Sequence, residues 1–105
     1  MNSANFQKLM NSIEVFDEPE LESCSFVGIT NIVPHPECGN CHYYIDYFSD
    51  TGEWEITAEA HGECAKGSKF WERDVVSAED EFTSDEIEML KKHCLKLYDE
   101  MCHEK

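Results

Sequence analysis

The stretch CGNCHYYIDYFSDTGEWEITAEAHGEC, residues 38–64, carries the clearest structural signal in this 105-residue chain. Aromatic and aliphatic side chains recur at every second position over residues 43–47 and again over residues 54–60. Residues 49–53 between these runs are turn formers and include a glycine, which accepts a positive φ. Period-two alternation on both sides of a turn predicts a β-hairpin whose second face is acidic and solvated.

Pairs of metal-ligating residue types stand at the two ends of this hairpin. Cys38 and Cys41 are separated by two residues, and so are His61 and Cys64. A hairpin brings its ends together, and four Cys and His ligands form the tetrahedral environment that zinc prefers in structural sites. We therefore predict one zinc ion bound by Cys38, Cys41, His61 and Cys64. The alternative is that these are reduced side chains in and around a small core, and the identity of the fourth ligand stays open.

The flanking segments predict helices. In residues 1–18 apolar side chains recur at steps of three and four, after an N-cap at Ser3 and before a stop at residues 17–19. In residues 83–103 a capping box precedes an apolar stripe. Residues 24–76 are predicted to form the sheet, with further strands near residues 25–33 and 69–76. The expected fold is α+β in a single domain, residues 1–105: a zinc-stapled β-hairpin or three-stranded sheet, an N-terminal helix and a C-terminal amphipathic helix.

The charge of the chain indicates a class of partner. The sequence has 23 acidic and 8 basic residues for a net charge of −15, and residues 1–63 contain one base, Lys8, against twelve acids. Such a surface repels phosphate backbones, so we expect no direct nucleic-acid binding, and it attracts basic protein surfaces. The alternative is that the acids only keep the protein soluble. The predicted contacts to a basic partner are Asp46, Asp50, Glu53, Glu55, Glu59 and Glu63.

The sequence also predicts a compartment and argues against catalysis. No run approaches the roughly 20 apolar residues that cross a bilayer, and the first residues lack the layout of a signal peptide. We therefore expect a cytoplasmic protein without membrane contact, whose six cysteines stay reduced. The chain contains no glycine-rich phosphate loop, GxSxG or HExxH motif, and a closed four-ligand site has no free position for a substrate. We therefore expect that the protein is not an enzyme.

Short motifs in the centre of the chain resemble a known type of module. Residues 38–44, the Gly62-Glu63-Cys64 triplet, Trp71 and Val75 are similar to small CxxC…GxC cysteine-cluster modules of bacteria and phages, over about residues 38–82. The layout is also similar to the small iron–sulfur subunits of glycyl-radical decarboxylases. Those modules end in Cys-Gly-Glu-Phe, whereas this chain has Asp-Glu-Phe at residues 80–82. The missing cysteine makes His61 the natural fourth ligand under this resemblance.

Charge and resemblance together indicate two functions. The first is an acidic metal-binding interaction module, encoded by a phage or mobile element, that mimics nucleic-acid charge against a host nucleic-acid-binding enzyme, as anti-CRISPR and anti-restriction proteins do. The second is an iron–sulfur or redox accessory subunit of a larger enzyme, as the decarboxylase subunits are. Colour distinguishes the two functions. The interaction module is expected to bind a colourless zinc ion, whereas the accessory subunit is expected to hold a coloured iron–sulfur cluster.

Overall fold

The computed structural model describes residues 3–17 and 25–103. The order of elements is α1 (Ser3–Asn11), β1 (Glu14–Asp17), β2 (Phe26–Ile29), β3 (Val33–His35), β4 (Gly39–Phe48), β5 (Glu53–Ala60), β6 (Val75–Ser77), a short 3₁₀ helix (Glu79–Glu81) and α2 (Ser84–His103). The strands form one antiparallel sheet in the order β1-β2-β4-β5-β6, and β3 pairs with the start of β4. The fold is α+β, as the sequence predicts.

The predicted hairpin is confirmed as the centre of the sheet. β4 and β5 pair in a register that places Tyr43 opposite Ala58 and Tyr47 opposite Trp54. Gly52 in the connecting turn has a φ of 73°, a conformation that glycine adopts without strain. The two long strands therefore form as the alternation indicates.

The N-terminal helix is shorter than predicted. It ends at Asn11, and the backbone N–H and the hydroxyl of Ser12 both donate to the carbonyl of Leu9. Residues 14–17, which the helical prediction included, form β1 and pair with β2. That part of the prediction was wrong because sheet pairing satisfies the backbone of this segment, whose Val15 and Phe16 favour strands. Residues 1–2, 18–24 and 104–105 lie outside the described part of the chain, and with them three residues of the predicted helix (1, 2 and 18) and the start of the predicted sheet.

The sheet is larger than a hairpin or a three-stranded sheet. The predicted strand over residues 25–33 divides into β2 and β3, and the segment predicted over residues 69–76 contributes only β6. Consecutive turns occupy most of residues 65–73, where backbone N–H groups donate to carbonyls three residues earlier. The short outer strands could not be read from periodicity because three or four residues show too little alternation.

The C-terminal helix has the predicted capping box. The backbone N–H of Thr83 donates to Glu86 Oε1 at 2.8 Å, and the N–H of Glu86 donates to Thr83 Oγ1 at 3.1 Å. Leu90 and Cys94 on the predicted apolar stripe are fully buried. In the part of the chain that the structure describes, no helix has both the length and the apolar character needed to span a bilayer.

The core lies on one face of the sheet. Leu9 of α1 and Leu90 of α2 belong to the same buried cluster as Tyr43, Ile45 and Ile56 of the central strands. Alternate residues of β4 and β5 point to the opposite side and are exposed or half-buried. We call this side the open face, and on β4 and β5 it consists of His42, Tyr44, Asp46, Phe48, Glu53, Glu55, Thr57 and Glu59.

Candidate metal centre

One end of the open face brings together two histidines and a glutamate. His42 of β4 is directly opposite Glu59 of β5, and His61 follows the last residue of β5. A ring nitrogen of each histidine and a carboxylate oxygen of Glu59 all lie within 4.8 Å of one another. Within residues 3–17 and 25–103, this is the group of three Cys, His, Asp or Glu side chains with such spacing. This group, which we call the open cluster, could hold a metal ion.

Hydrogen bonds hold the open cluster together. His42 Nε2 lies 3.0 Å from Glu59 Oε2, and the Tyr44 hydroxyl donates to the same oxygen at 2.8 Å. His61 Nε2 contacts His42 Nδ1. When both imidazoles are neutral, a His42 Nε2–H that donates to Glu59 leaves Nδ1 as the acceptor of a proton carried by His61 Nε2. The three side chains are thereby oriented toward one another.

One distance in the open cluster is close to the spacing of two ligands on a metal ion. Ligands at about 2.0–2.1 Å from a tetrahedral zinc ion are separated by about 3.3 Å, close to the distance between His42 Nε2 and Glu59 Oε2. Imidazole nitrogen and carboxylate oxygen are both zinc ligands. Three protein ligands would leave one tetrahedral position open, in contrast to the closed four-ligand site that the sequence predicts.

The electrostatics favour the ligand form of His42. Burial lowers the pKa of His42 and His61 lowers it further, against the raising effect of Glu59, so that the net pKa is below 6.5. A neutral imidazole is the form that binds metal. Burial and the hydrogen bond to Glu59 raise the pKa of Tyr44 to about 12, so its hydroxyl keeps its proton and stays a donor.

The two ends of the hairpin do meet, as predicted. The backbone N–H of His61 donates to the carbonyl of Asn40 at 2.9 Å. Cys38 is buried and its thiol donates to the same carbonyl at 3.0 Å. Burial, and then the nearby Cys64 thiol, raise the pKa of Cys38, and burial raises the pKa of Cys41 to about 11.

The structure nevertheless divides the four predicted ligands. Among the described residues, no three of Cys38, Cys41, His61 and Cys64 have ligand atoms within 4.8 Å of one another. His61 instead lies with His42 and Glu59. The thiol-rich zinc site therefore stays a prediction, and His61 is the residue that both candidate sites share.

The predicted partner-binding acids have three locations. Asp46, Glu53, Glu55 and Glu59 lie on the open face, Asp50 lies in the turn between β4 and β5, and Glu63 follows β5. Asp46 and Glu55 are directly opposite each other. Like charges in this relation destabilise a sheet, so the arrangement favours any cation that binds there.

A second histidine–glutamate group lies on the core side of the sheet. Glu81 accepts hydrogen bonds from the Tyr43 hydroxyl at 2.6 Å and from Lys69 Nζ at 2.6 Å, and its Oε1 lies 2.9 Å from Nε2 of the buried His35. We call these four residues the buried cluster. They line one side of a cavity of about 600 Å³. Lys69 already supplies the positive charge that Glu81 requires, so this cluster stabilises the fold.

His42 is a candidate ligand that was not predicted from the sequence. The signal was present in the hairpin, because a turn centred near residues 50–51 places residue 42 opposite residue 59. Comparisons with protein-family models, with curated proteins and with solved structures found no match. The resemblance to cysteine-cluster modules is thus neither supported nor opposed by a relative.

Proposed function

We propose that this protein is an acidic, zinc-binding interaction module that binds the basic surface of another protein. The observation that carries the proposal is the alignment of Asp46, Glu55 and Glu59 on the open face of two adjacent strands. The net charge of −15 strengthens the attraction of this face for basic surfaces. The partner is a protein rather than a nucleic acid because phosphates would be repelled.

The arrangement of the carboxylates supports mimicry of nucleic-acid charge. Alternate residues on a strand are about 6.8 Å apart, and neighbouring strands are about 4.8 Å apart. The open face therefore carries negative charges at Asp46 on β4 and at Glu53, Glu55 and Glu59 on β5. An inhibitor from a phage or mobile element that occupies the nucleic-acid groove of a host enzyme would need such an array.

Zinc is the metal that we propose for this module. Its support is the donor set of the open cluster, together with the thiols that the sequence places nearby. Metal content per chain, measured on protein purified without chelator, tests this assignment. One zinc ion per chain in a colourless protein would agree with this assignment. Iron together with sulfide would contradict it and would favour the iron–sulfur accessory subunit.

Binding to a basic probe tests the interaction function. Asp46→Asn and Glu55→Gln should each weaken the binding of a nona-arginine peptide about threefold, as expected for one exposed ion pair. The binding is measured by fluorescence anisotropy in buffer with chelator. Glu88→Gln and Glu100→Gln on α2 are matched controls, because they remove the same charge from exposed positions elsewhere. If the controls weaken binding equally, net charge alone acts and the proposed face is wrong.

A further inference from the structure

We infer that zinc in the open cluster and a basic partner compete for the same carboxylate, so that zinc bound by His42, Glu59 and His61 weakens partner binding. The inference rests on the proposed function, since it concerns what regulates the acidic face. It concerns the open cluster alone, and the thiols of the sequence-predicted site play no part in it.

Glu59 belongs to both functional groups of the molecule. It is opposite His42 at one end of the hairpin, and it lies on the same face as Glu55, four residues earlier on β5. Its carboxylate already accepts hydrogen bonds in the open cluster, where its Oε2 lies 2.8 Å from the Tyr44 hydroxyl. A carboxylate oxygen bound to zinc has little charge left to offer an arginine or lysine of a partner. The two ligands therefore exclude each other at Glu59.

The bound ion also changes the local charge. Glu59 with two neutral histidines carries one negative charge, and a zinc ion converts this to one positive charge. Asp46 and Glu55 lie about 14 Å away along the strands, beyond the Debye length of about 8 Å at physiological ionic strength. The effect is thus mostly local to Glu59, and it extends to the rest of the array as the salt concentration falls.

The open cluster is accessible to exchange, as a regulatory site must be. His61 is exposed, and Glu59 and His42 are half-buried. Three protein ligands leave a coordination position that water can occupy. In the buried cluster, by contrast, an ammonium group already occupies the place next to the carboxylate, because Lys69 Nζ lies 2.6 Å from Glu81 Oε2.

The test measures zinc and peptide binding separately. Zinc binding is followed by calorimetry, and binding of the nona-arginine peptide by anisotropy in chelator and in saturating zinc. The wild-type protein should bind the peptide about threefold to tenfold more weakly in zinc at physiological salt, and the difference should grow at low salt. Peptide binding that is unchanged or tighter in zinc would overturn the inference.

Three variants assign the effect to residues. His42→Ala should lose zinc binding in the open cluster and make peptide binding insensitive to zinc, and His42→Gln serves if the alanine variant does not fold. Glu55→Gln should weaken peptide binding while it keeps both the zinc affinity and the response to zinc. Cys64→Ser should leave the effect of zinc on peptide binding unchanged. If that effect is lost in Cys64→Ser but kept in His42→Ala, the inference is also overturned.

The outcomes separate this inference from the proposed function. If the face does not bind the peptide even in chelator, the interaction function itself fails. If the peptide binds in chelator and zinc binds the protein without weakening that interaction, only the competition fails.

Discussion

The open cluster and the buried cluster use the same residue types on opposite sides of one sheet. Glu59 is bound by Tyr44 and His42, whereas Glu81 is bound by Tyr43 and lies against His35. The neighbouring tyrosines reach different clusters because successive strand residues point to opposite faces. The difference lies in the extent of burial and in one further residue, which is Lys69 in the buried cluster and His61 in the open cluster.

That difference separates a structural role from a binding role. In the buried cluster Lys69 provides an internal cation, and the His35 ring packs edge-on against Phe70. In the open cluster an exposed histidine, His61, takes the place of the lysine. A partly buried carboxylate that an ammonium already neutralises stabilises the fold, whereas a more exposed carboxylate beside imidazoles can accept an external cation.

Replacing the glutamate of each cluster by glutamine should give the largest difference in stability between the two clusters. Glu81→Gln should lower the free energy of unfolding by about 3 kcal/mol, because the partly buried ammonium of Lys69 loses the closer of its two carboxylate partners and the Tyr43 hydroxyl loses a charged acceptor. Glu59→Gln should lower it by less than about 1 kcal/mol in metal-free buffer. Urea denaturation followed by circular dichroism measures both values. Equal losses would show that the two clusters do not differ in their contribution to stability.

Zinc should stabilise the protein through the open cluster. At a free concentration 100 times the dissociation constant, a ligand that binds only the folded state adds about 2.7 kcal/mol to the free energy of unfolding. His42→Ala should abolish this gain, and Cys64→Ser should retain it. The opposite pattern would assign the ion to the thiol site predicted from the sequence. His61→Ala cannot distinguish the two sites because His61 belongs to both.

The adjacent tyrosines offer a matched pair of smaller changes. Tyr43→Phe removes a buried hydrogen bond to a carboxylate and should cost about 2 kcal/mol of unfolding free energy. Tyr44→Phe removes the equivalent bond on the half-buried open face and should cost about 0.5 kcal/mol. Thermal or urea unfolding in chelator compares them. A larger loss for Tyr44→Phe would reverse the assignment of the two faces.

The smallest effect concerns alkaline pH. Burial lowers the pKa of Lys69, but the hydrogen bond and charge of Glu81 with the charge of Asp80 outweigh it, so the net pKa is above 10.5. A raised pKa stabilises the folded state below pH 10.5, and this contribution is lost as the pH rises through the folded-state value. The wild-type protein should therefore lose more stability above pH 10.5 than Lys69→Met does. Lys91→Met, in which a lysine on α2 is replaced, should behave like the wild-type protein.

The hairpin and the start of the C-terminal helix were predicted correctly from strong local patterns. The strand at residues 14–17 was not predicted, because its local pattern also fits a helix. The hairpin and the capping box at Thr83 and Glu86 each rest on interactions within a short segment, so the sequence suffices to predict them. The stripe through Phe16 also fits a helix, yet residues 14–17 pair with β2. The choice between helix and strand there depends on a partner distant in sequence, which local periodicity does not contain.

The candidate site was predicted in part. His61 was predicted as a ligand and Glu59 as an acid of the interaction face, but His42 was not predicted as a metal ligand. Spacing within the CxxC pair directed the prediction toward thiols, whereas the structure places the His61 ring beside His42. Cross-strand neighbours are set by register, whereas the ligand prediction rests on spacing along the chain.

The sequence alone determined the acidic charge, the alternation of the hairpin and the start of the C-terminal helix, because composition and neighbouring residues define these properties. Only the tertiary structure decided that the helices pack on the apolar face and that His35, Tyr43 and Lys69 surround Glu81 there. Alternation assigns Tyr43 to the apolar face and Tyr44 to the acidic face, but it does not say what packs against the apolar face. That choice depends on where the apolar stripes of α1 and α2 pack, and packing joins segments that are far apart in the chain.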